Sequence, residues 1–170
     1  SLRLVDAAKL QMMIWEVWDK KSGRLAAAEV GYAFGKIYTS MTGAFEPEFS
    51  GAGSVQLAVT GAWLLRHNFV IWDFGMSMGY KEEMGAFRVP RQRWLVIVSL
   101  FGAADNTPLD NEDEKQRECA PLLSNVPERC DLATLSVREL KDLAANVLRV
   151  SVAGVSEKSE LVAMFKEELE

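Results

Sequence analysis

A polar, turn-rich stretch at residues 104–130 divides the chain and limits what it can fold into. It carries seven acidic and three basic residues, together with Pro108, Pro121 and Pro127. This composition is typical of a linker or a long loop, because it offers few apolar side chains to bury. The sequence therefore predicts a main domain over residues 1–103, an acidic linker over 104–130 and a C-terminal module over 131–170.

Charge is distributed unevenly among these three parts. The main domain has a net charge of +2, the linker −4 and the C-terminal module −3, which gives −5 for the 170 residues. A chain with this balance is not expected to carry a large surface for polyanions. Any contact with nucleic acid is predicted to be local and to lie on the main domain.

The sequence predicts no membrane span, and its first residues are not expected to form a signal peptide. No apolar run approaches the roughly 20 residues that cross a bilayer, and polar residues interrupt the beginning of the chain where a signal peptide would be apolar. We expect a reducing compartment, either the cytoplasm or the interior of an organelle.

Cysteine and histidine are too few to predict a metal site or a cofactor. Ten residues separate Cys119 from Cys130, and the chain has a single histidine, so no zinc-ligand pattern is present. Two free thiols or one disulfide both remain open.

The first half of the main domain has the pattern of a β-hairpin followed by a helix. Gln11 to Asp19 is rich in apolar and aromatic residues, and Arg24 to Tyr38 is the returning strand. Between them lies a hairpin turn in which Gly23 is free to adopt a positive φ. We expect a loop over residues 39–53 and then a helix from Ser54, near its N-cap, to His67.

The second half of the main domain alternates short strands and helices. Residues 69–74 are predicted as a buried strand, 79–85 as a short helix or turn ending at Gly85, and 87–89 as a strand stopped by Pro90. Residues 91–101 are predicted as a helix, although their valine and isoleucine content also permits a strand. This order of elements predicts an α/β or α+β fold.

The C-terminal module has the signals of two short helices. Ser136 and Glu139 match the S-x-x-E pattern of a capping box, and apolar residues follow at helical spacing. A second helix is predicted after Ser156. We therefore expect a helix, an extended loop and a helix that are independent of the main domain's core.

Four stretches of the main domain lie in the order found in a known family. They are Glu16-Val17-Trp18, Gly31 to Phe45, Ile71-Trp72-Asp73, and Met84 to Arg91. Together they resemble the second half of the leucyl/phenylalanyl-tRNA–protein transferases. The resemblance spans about residues 16–95 and implies part of an acetyltransferase-like mixed sheet with flanking helices. It also implies transfer of an amino acid from tRNA to a protein N-terminus, with Asp73 as a catalytic carboxylate.

The main domain departs from that family at residues that its chemistry uses. Gly75 stands where the family has a glutamine close after its aspartate, and Met41 or Thr42 falls where it has a glutamate. The Ser-Lys pair at the start of the family's helix falls on Ser54 and Val55. These departures favour a domain that has lost its catalysis.

The C-terminal module is similar to another known class. Residues 135–143 and 157–162 resemble SAP-like domains, in particular the type that ends the mesencephalic neurotrophic factors. SAP domains often bind DNA, but this copy is acidic, so its attraction to phosphates is expected to be weak. We predict no tight DNA binding and a role in protein docking.

Two functions from different classes follow from these observations. The favoured one is a non-catalytic accessory or scaffold subunit of a larger assembly, for example a photosynthetic, respiratory or ribosomal one. The alternative is an aminoacyl-tRNA–protein transferase, with Asp73 catalytic and tRNA as a partner. Arg88, Arg91 and Arg93 flank Trp94, and these four residues are the candidate binding group, able to contact RNA or to form a solvated face.

Overall fold

The computed structural model describes residues 10–102, 117–124, 136–143 and Ser159. The elements in these ranges, in chain order, are β1 (Gln11–Trp18), β2 (Leu25–Phe34), β3 (Ile37–Phe45), α1 (Ala52–Arg66), β4 (Ile71–Asp73), α2 (Gly79–Glu83), α3 (Arg91–Phe101), α4 (Cys119–Leu123) and α5 (Val137–Leu143). The strands form one four-stranded sheet. The prediction of a mixed α and β fold is therefore confirmed.

The sheet is a meander of three strands with one parallel strand added. Its order is β1-β2-β3-β4, and the first two pairings are antiparallel. β4 pairs in parallel with the start of β3, where Ile37 is opposite Ile71 and Thr39 is opposite Asp73. Parallel neighbours need a crossover connection, and α1 lies in it.

The first hairpin agrees with its prediction. β1 ends at Trp18, and Gly23 in the following turn has a φ of 66°. The carboxylate of Asp19 accepts hydrogen bonds from the backbone N–H and the hydroxyl of Ser22, at 2.8 and 2.7 Å. These bonds close the turn locally, as short polar side chains do at such positions.

The predicted strand from Arg24 to Tyr38 is in fact two strands. β2 ends at Phe34, and the chain turns at Gly35, whose φ is 55°, before β3 begins at Ile37. The loop expected over 39–53 was wrong for its first seven residues, because β3 continues to Phe45. The turn has apolar residues on both sides and no cluster of polar residues, so the usual sequence signal of a hairpin is missing.

The remaining elements of the main domain test further predictions. α1 begins at Ala52, two residues before Ser54, and Gly51 with a φ of 83° is its N-cap without a side-chain bond. The strand expected at residues 87–89 is absent, because the backbone of these residues pairs with none of the four strands of the sheet. The helices predicted at 79–85 and 91–101 are present as α2 and α3.

Apolar clusters lie on both faces of the sheet. On one face α1 brings Trp63 and Leu64 against Tyr38 and Phe69. Adjacent residues of a strand point to opposite faces, so a second cluster forms on the other face. It contains Phe34, Ile37, Ile97, Phe101 and Leu140.

Leu140 connects α5 to the core of the main domain. It is fully buried, and its cluster includes residues of β2, β3 and α3. The expectation that the C-terminal module is independent of that core was therefore wrong for α5. The side chain of Glu139, the second residue of the predicted capping box, lies outside the described part of the structure. Most of the helix predicted after Ser156 lies outside the described residues, and Ser159 is helical.

A short helix lies within the predicted linker. α4 packs against α1, and the guanidinium of Arg66 donates hydrogen bonds to the carbonyl oxygens of Leu122 and Ser124. Cys119, at the start of α4, is a free thiol; Cys130 lies outside the described residues. The three-part division of the chain stays a prediction. Among the helices of the described ranges, none has the length and apolar character needed to cross a membrane.

Candidate functional site

A cleft of about 740 Å³ opens where β4 ends, bounded by the segment from β4 to α3 and by α3 itself. We call it the β4–α3 cleft. The carboxyl end of a parallel strand is a common place for binding sites in α/β proteins. The residues that line it come from positions 70–97.

The floor of the β4–α3 cleft is aromatic and held by the core. Trp72 stacks on Phe74 with ring centroids 4.2 Å apart, and its indole N–H donates to the hydroxyl of Ser40 at 2.9 Å. Trp94 and Ile97 of α3 also line the cleft. Trp94 packs against the cluster that contains Phe34 and Leu140, whereas Trp72 packs against the cluster on the other face of the sheet. The floor is thus fixed by packing from both sides of the sheet edge.

The backbone beyond β4 folds into a turn that engages Asp73. Gly75 has a φ of 67°, and its N–H donates to the Asp73 carboxylate at 2.8 Å. The Lys81 ammonium group donates to the carbonyl oxygens of Phe74 and Met76, at 2.6 and 3.0 Å. The carboxylate and the ammonium group therefore both stabilise the loop that forms one wall of the cleft.

The lip of the cleft is apolar and exposed. Met76 is 72% exposed and Phe87 is 64% exposed, and both line the cleft together with the half-exposed Met84. Met78 and Tyr80, in the same segment, are also exposed. We call these five residues the apolar rim. Several large apolar side chains exposed within one short segment are typical of an interaction site.

The charged groups of the cleft wall contact one another. The Glu82 carboxylate accepts hydrogen bonds from the Ser77 hydroxyl at 2.6 Å and from the Arg88 guanidinium at 3.1 Å. The Ser77 hydroxyl, followed by Arg88, lowers the pKa of Glu82 below its ordinary value. Glu82 therefore stays ionised and serves as the counter-charge of Arg88.

The structure brings together three of the residues that the sequence singled out. Asp73, Arg88 and Trp94 all line the β4–α3 cleft. Arg91 and Arg93 begin α3 beside it, and they form no ion pair with any part of the chain that the structure describes. The candidate binding group is therefore one region of the surface.

A second polar constellation lies inside the protein and was missed by sequence reasoning. Glu29 of β2 is 5% exposed. Its carboxylate accepts hydrogen bonds from Tyr38 at 2.7 Å, from Ser40 at 2.7 Å and from Gln56 at 3.2 Å. The Trp15 indole N–H donates to the Tyr38 hydroxyl at 2.8 Å. We call these five residues the Glu29 network.

The Glu29 network depends on two local features of the sequence. A Cβ on Gly31 would lie 2.2 Å from the Tyr38 hydroxyl oxygen, so only glycine leaves room for that ring. On α1, Gln56 also donates to Thr60 one turn later, at 2.9 Å. The sequence carried one signal for this network. It has a lone carboxylate in an alanine-rich strand, and the next helix has a glutamine and a threonine four positions apart.

Burial and the carboxylate raise the pKa of the Tyr38 hydroxyl well above its ordinary value. Desolvation is the larger cause, because it disfavours the phenolate, and the hydrogen bond to Glu29 adds to it. Tyr38 is thus a neutral donor at ordinary pH. Through Ser40, the network reaches Trp72 in the floor of the β4–α3 cleft and fixes the position of its indole.

Metal binding finds no support in the described ranges. Histidine, cysteine and carboxylate side chains there do not gather into any group of three that could hold an ion. His67 follows α1, where its imidazole stacks on Trp63 at 3.8 Å and its Nδ1 lies 2.8 Å from the Trp63 carbonyl oxygen.

Comparison with known proteins does not assign the chain to a class. No protein-family model matches it, and neither a curated protein nor a solved structure matches it.

Proposed function

We propose that this chain is a non-catalytic accessory or scaffold subunit that docks into a larger assembly through the β4–α3 cleft. It would be built on an acetyltransferase-like domain similar to the leucyl/phenylalanyl-tRNA–protein transferases. The SAP-like module would add a second docking element. The apolar rim carries this proposal, because it exposes five large apolar side chains in the segment that forms one wall of the cleft.

The chemistry of the apolar rim suits protein contacts. Methionine is unbranched and polarisable, so a methionine-rich surface adapts to the shape of a partner. Phe87 supplies a large aromatic anchor of the kind that dominates interface energetics. The fixed aromatic floor below would receive the partner's apolar side chains without rearrangement.

The surroundings of Asp73 support the absence of catalysis. A general base must lie within hydrogen-bond reach of its proton, held there by neighbouring groups. The Asp73 carboxylate instead accepts a bond from the backbone of Gly75, which has no side chain to orient a substrate. The role we propose for Asp73 is to close this turn.

Fractionation of native extracts tests the docking function. The full chain should migrate with a large assembly, and Met76→Ser/Phe87→Ser should move to the position of the free chain. Leu25→Ser is the control, because Leu25 is also exposed but lies at the start of β2. A rim variant that stays in the assembly, or a wild type found alone, would contradict the proposal.

A transfer assay tests the loss of catalysis. Leucine or phenylalanine on charged tRNA is offered with a peptide that has a basic N-terminal residue, and we expect no turnover. Asp73→Asn should instead lower the free energy of unfolding by about 0.5–1.5 kcal/mol through a weaker turn bond. Turnover that disappears in a folded Asp73→Asn variant would establish the transferase alternative.

A further inference from the structure

The start of α3, which follows the apolar rim in the chain, is basic on an acidic chain. In the lining of the β4–α3 cleft Asp73 and Glu82 balance Lys81 and Arg88, so the positive excess comes from Arg91 and Arg93. Residues 81–93 contain four basic residues against two acidic ones, whereas the whole chain has a net charge of −5. Arg88 lines the β4–α3 cleft, and its side chain is 80% exposed despite the ion pair with Glu82. A guanidinium has five N–H donors, so most of those on Arg88 remain open to a ligand.

The other two arginines occupy an unfavourable place. Arg91 and Arg93 lie in the first turn of α3, which has no acidic residue there. The amino end of a helix is partially positive, so cations at this end lower helix stability. Among the residues that the structure describes, no carboxylate pairs with either of them. Their charge is therefore available to an acidic group supplied from outside.

The aromatic residues decide between a nucleic acid and a protein as the source of that acidic group. Single-stranded nucleic acids bind by stacking bases on open aromatic faces. Here Trp72 is already stacked on Phe74, and Trp94 packs against the core. The exposed rings are those of Phe87 and Tyr80, and the other three residues of the apolar rim are methionines, which pack against apolar side chains rather than stack on bases. The composition of the rim therefore favours a protein as the source of the acidic group.

We propose that the β4–α3 cleft binds a peptide segment that combines apolar anchors with acidic residues. The anchors would contact the apolar rim, and the acidic residues would lie against Arg88 and Arg91. This inference rests on the proposed docking function and adds the chemistry of the partner to it. The partner's carboxylates would compensate the positive charge at the start of α3.

Selection from a random peptide library displays this preference without a known ligand. The full chain is immobilised, and the selected peptides are sequenced and titrated in solution. We expect them to be enriched in both large apolar and acidic residues. Met76→Ser/Phe87→Ser should weaken binding by about tenfold or more, and Arg88→Gln/Arg91→Gln by about 3- to 10-fold at low salt.

A control variant with the same loss of charge elsewhere on the surface tests whether the position of the positive charge matters. Lys20→Gln/Lys21→Gln removes the same charge at the β1–β2 turn, and Lys20, like Arg88, belongs to a surface ion pair. This control should bind the selected peptides as the wild type does. An equal loss in both charge variants would mean that only the net charge matters, which overturns the inference.

The remaining outcomes distinguish this inference from the docking function itself. Peptides that need the apolar rim but bind Arg88→Gln/Arg91→Gln normally, or that are basic, would overturn the acidic preference and leave the docking function in place. Peptides that ignore the rim substitutions would overturn both. A single-stranded RNA oligonucleotide that binds more tightly than the peptides, and is lost in Arg88→Gln/Arg91→Gln, would make the site a nucleic-acid surface.

Discussion

Glu29 is a carboxylate inside the interface between the sheet and α1, and three side-chain donors converge on it. Glu29→Ala would leave the Tyr38, Ser40 and Gln56 donors without this acceptor. Each buried donor left unsatisfied costs about 1–3 kcal/mol, so we expect several kcal/mol less stability in urea unfolding. Glu16→Ala, at an exposed carboxylate of β1, should change it by less than about 0.5 kcal/mol. Similar losses in both variants would contradict the structural role of the Glu29 network.

The Tyr38 hydroxyl makes the stability of the fold sensitive to alkaline pH. Its pKa is raised in the folded protein, whereas tyrosine in an unfolded chain ionises near pH 10, at about its reference value. Above about pH 10 the unfolded state therefore loses a proton that the folded state keeps, and stability falls as pH rises.

Tyr38→Phe should be less stable than wild type near neutral pH, because Trp15 and Glu29 each lose a hydrogen-bond partner. That difference should shrink between about pH 9 and about pH 11, since the variant has no hydroxyl to titrate. Thr60→Val removes another buried hydroxyl, and its difference from wild type should stay constant. A Tyr38→Phe difference that also stays constant in urea unfolding would refute this account.

Residue-level chemistry could be predicted where the signal was local. The sequence places Asp73 at a strand end two residues before Gly75, and the turn contact that this spacing suggests is present. The Glu29 network could not be predicted in the same way. Its members come from β1, β2, β3 and α1, and the pairing of those strands decides whether Glu29 faces α1 or solvent.

At the scale of elements, the β2–β3 turn holds the end of α3. The Lys36 N–H donates to the Phe101 carbonyl oxygen at 2.9 Å, and a Cβ on Gly35 would lie 2.0 Å from the same oxygen. Gly35→Ala should therefore separate α3 from the sheet. Gly23 is the matched control, because its φ is also positive but nothing lies within 4 Å of its Cβ position.

Comparing Gly35→Ala with Gly23→Ala separates the cost of the steric clash from the cost of the left-handed backbone conformation. Gly23→Ala should cost about 1–2 kcal/mol, which is the price of a left-handed backbone for alanine. Gly35→Ala should cost about 1–3 kcal/mol more, because the clash adds to it. Urea unfolding measures both. Equal losses would show that the contact between the turn and α3 contributes little.

Elements with periodic apolar residues and polar boundaries were predictable, and those without were not. α1 was predicted from the helical spacing of its apolar residues, and α3 was predicted as a helix although its valine and isoleucine content also permitted a strand. β3 was missed because the residues on both sides of Gly35 are apolar, so the stretch looks like one continuous strand. Residues 41–45 are all exposed, so buried and exposed side chains do not alternate there as they do in a typical strand. The acetyltransferase-like arrangement depends on how elements connect across the sheet, so it remains a proposal.

At the scale of the whole molecule, α5 couples the C-terminal part of the chain to the main domain. Leu140 is fully buried beside Ile97 and Phe101 of α3. The sequence predicted separate modules because the acidic stretch looks like a boundary. The sequence does not show that Leu140 packs against the main domain, because the apolar stripe of α5 would look the same in an independent helix.

Tryptophan fluorescence can measure this coupling directly. All five tryptophans lie between residues 15 and 94, so the signal reports the main domain alone. Leu140→Ala should lower the free energy of unfolding seen by fluorescence by about 2–5 kcal/mol, as expected for a buried leucine in a packed core. Leu123→Ala, at a leucine of α4 that is 40% exposed, should lower it by less than about 1 kcal/mol.

If the fluorescence transition of Leu140→Ala coincides with that of wild type, α5 does not stabilise the main domain and the C-terminal module is independent after all. A shifted transition would show that α5 stabilises the main domain through the cluster that contains Ile97 and Phe101.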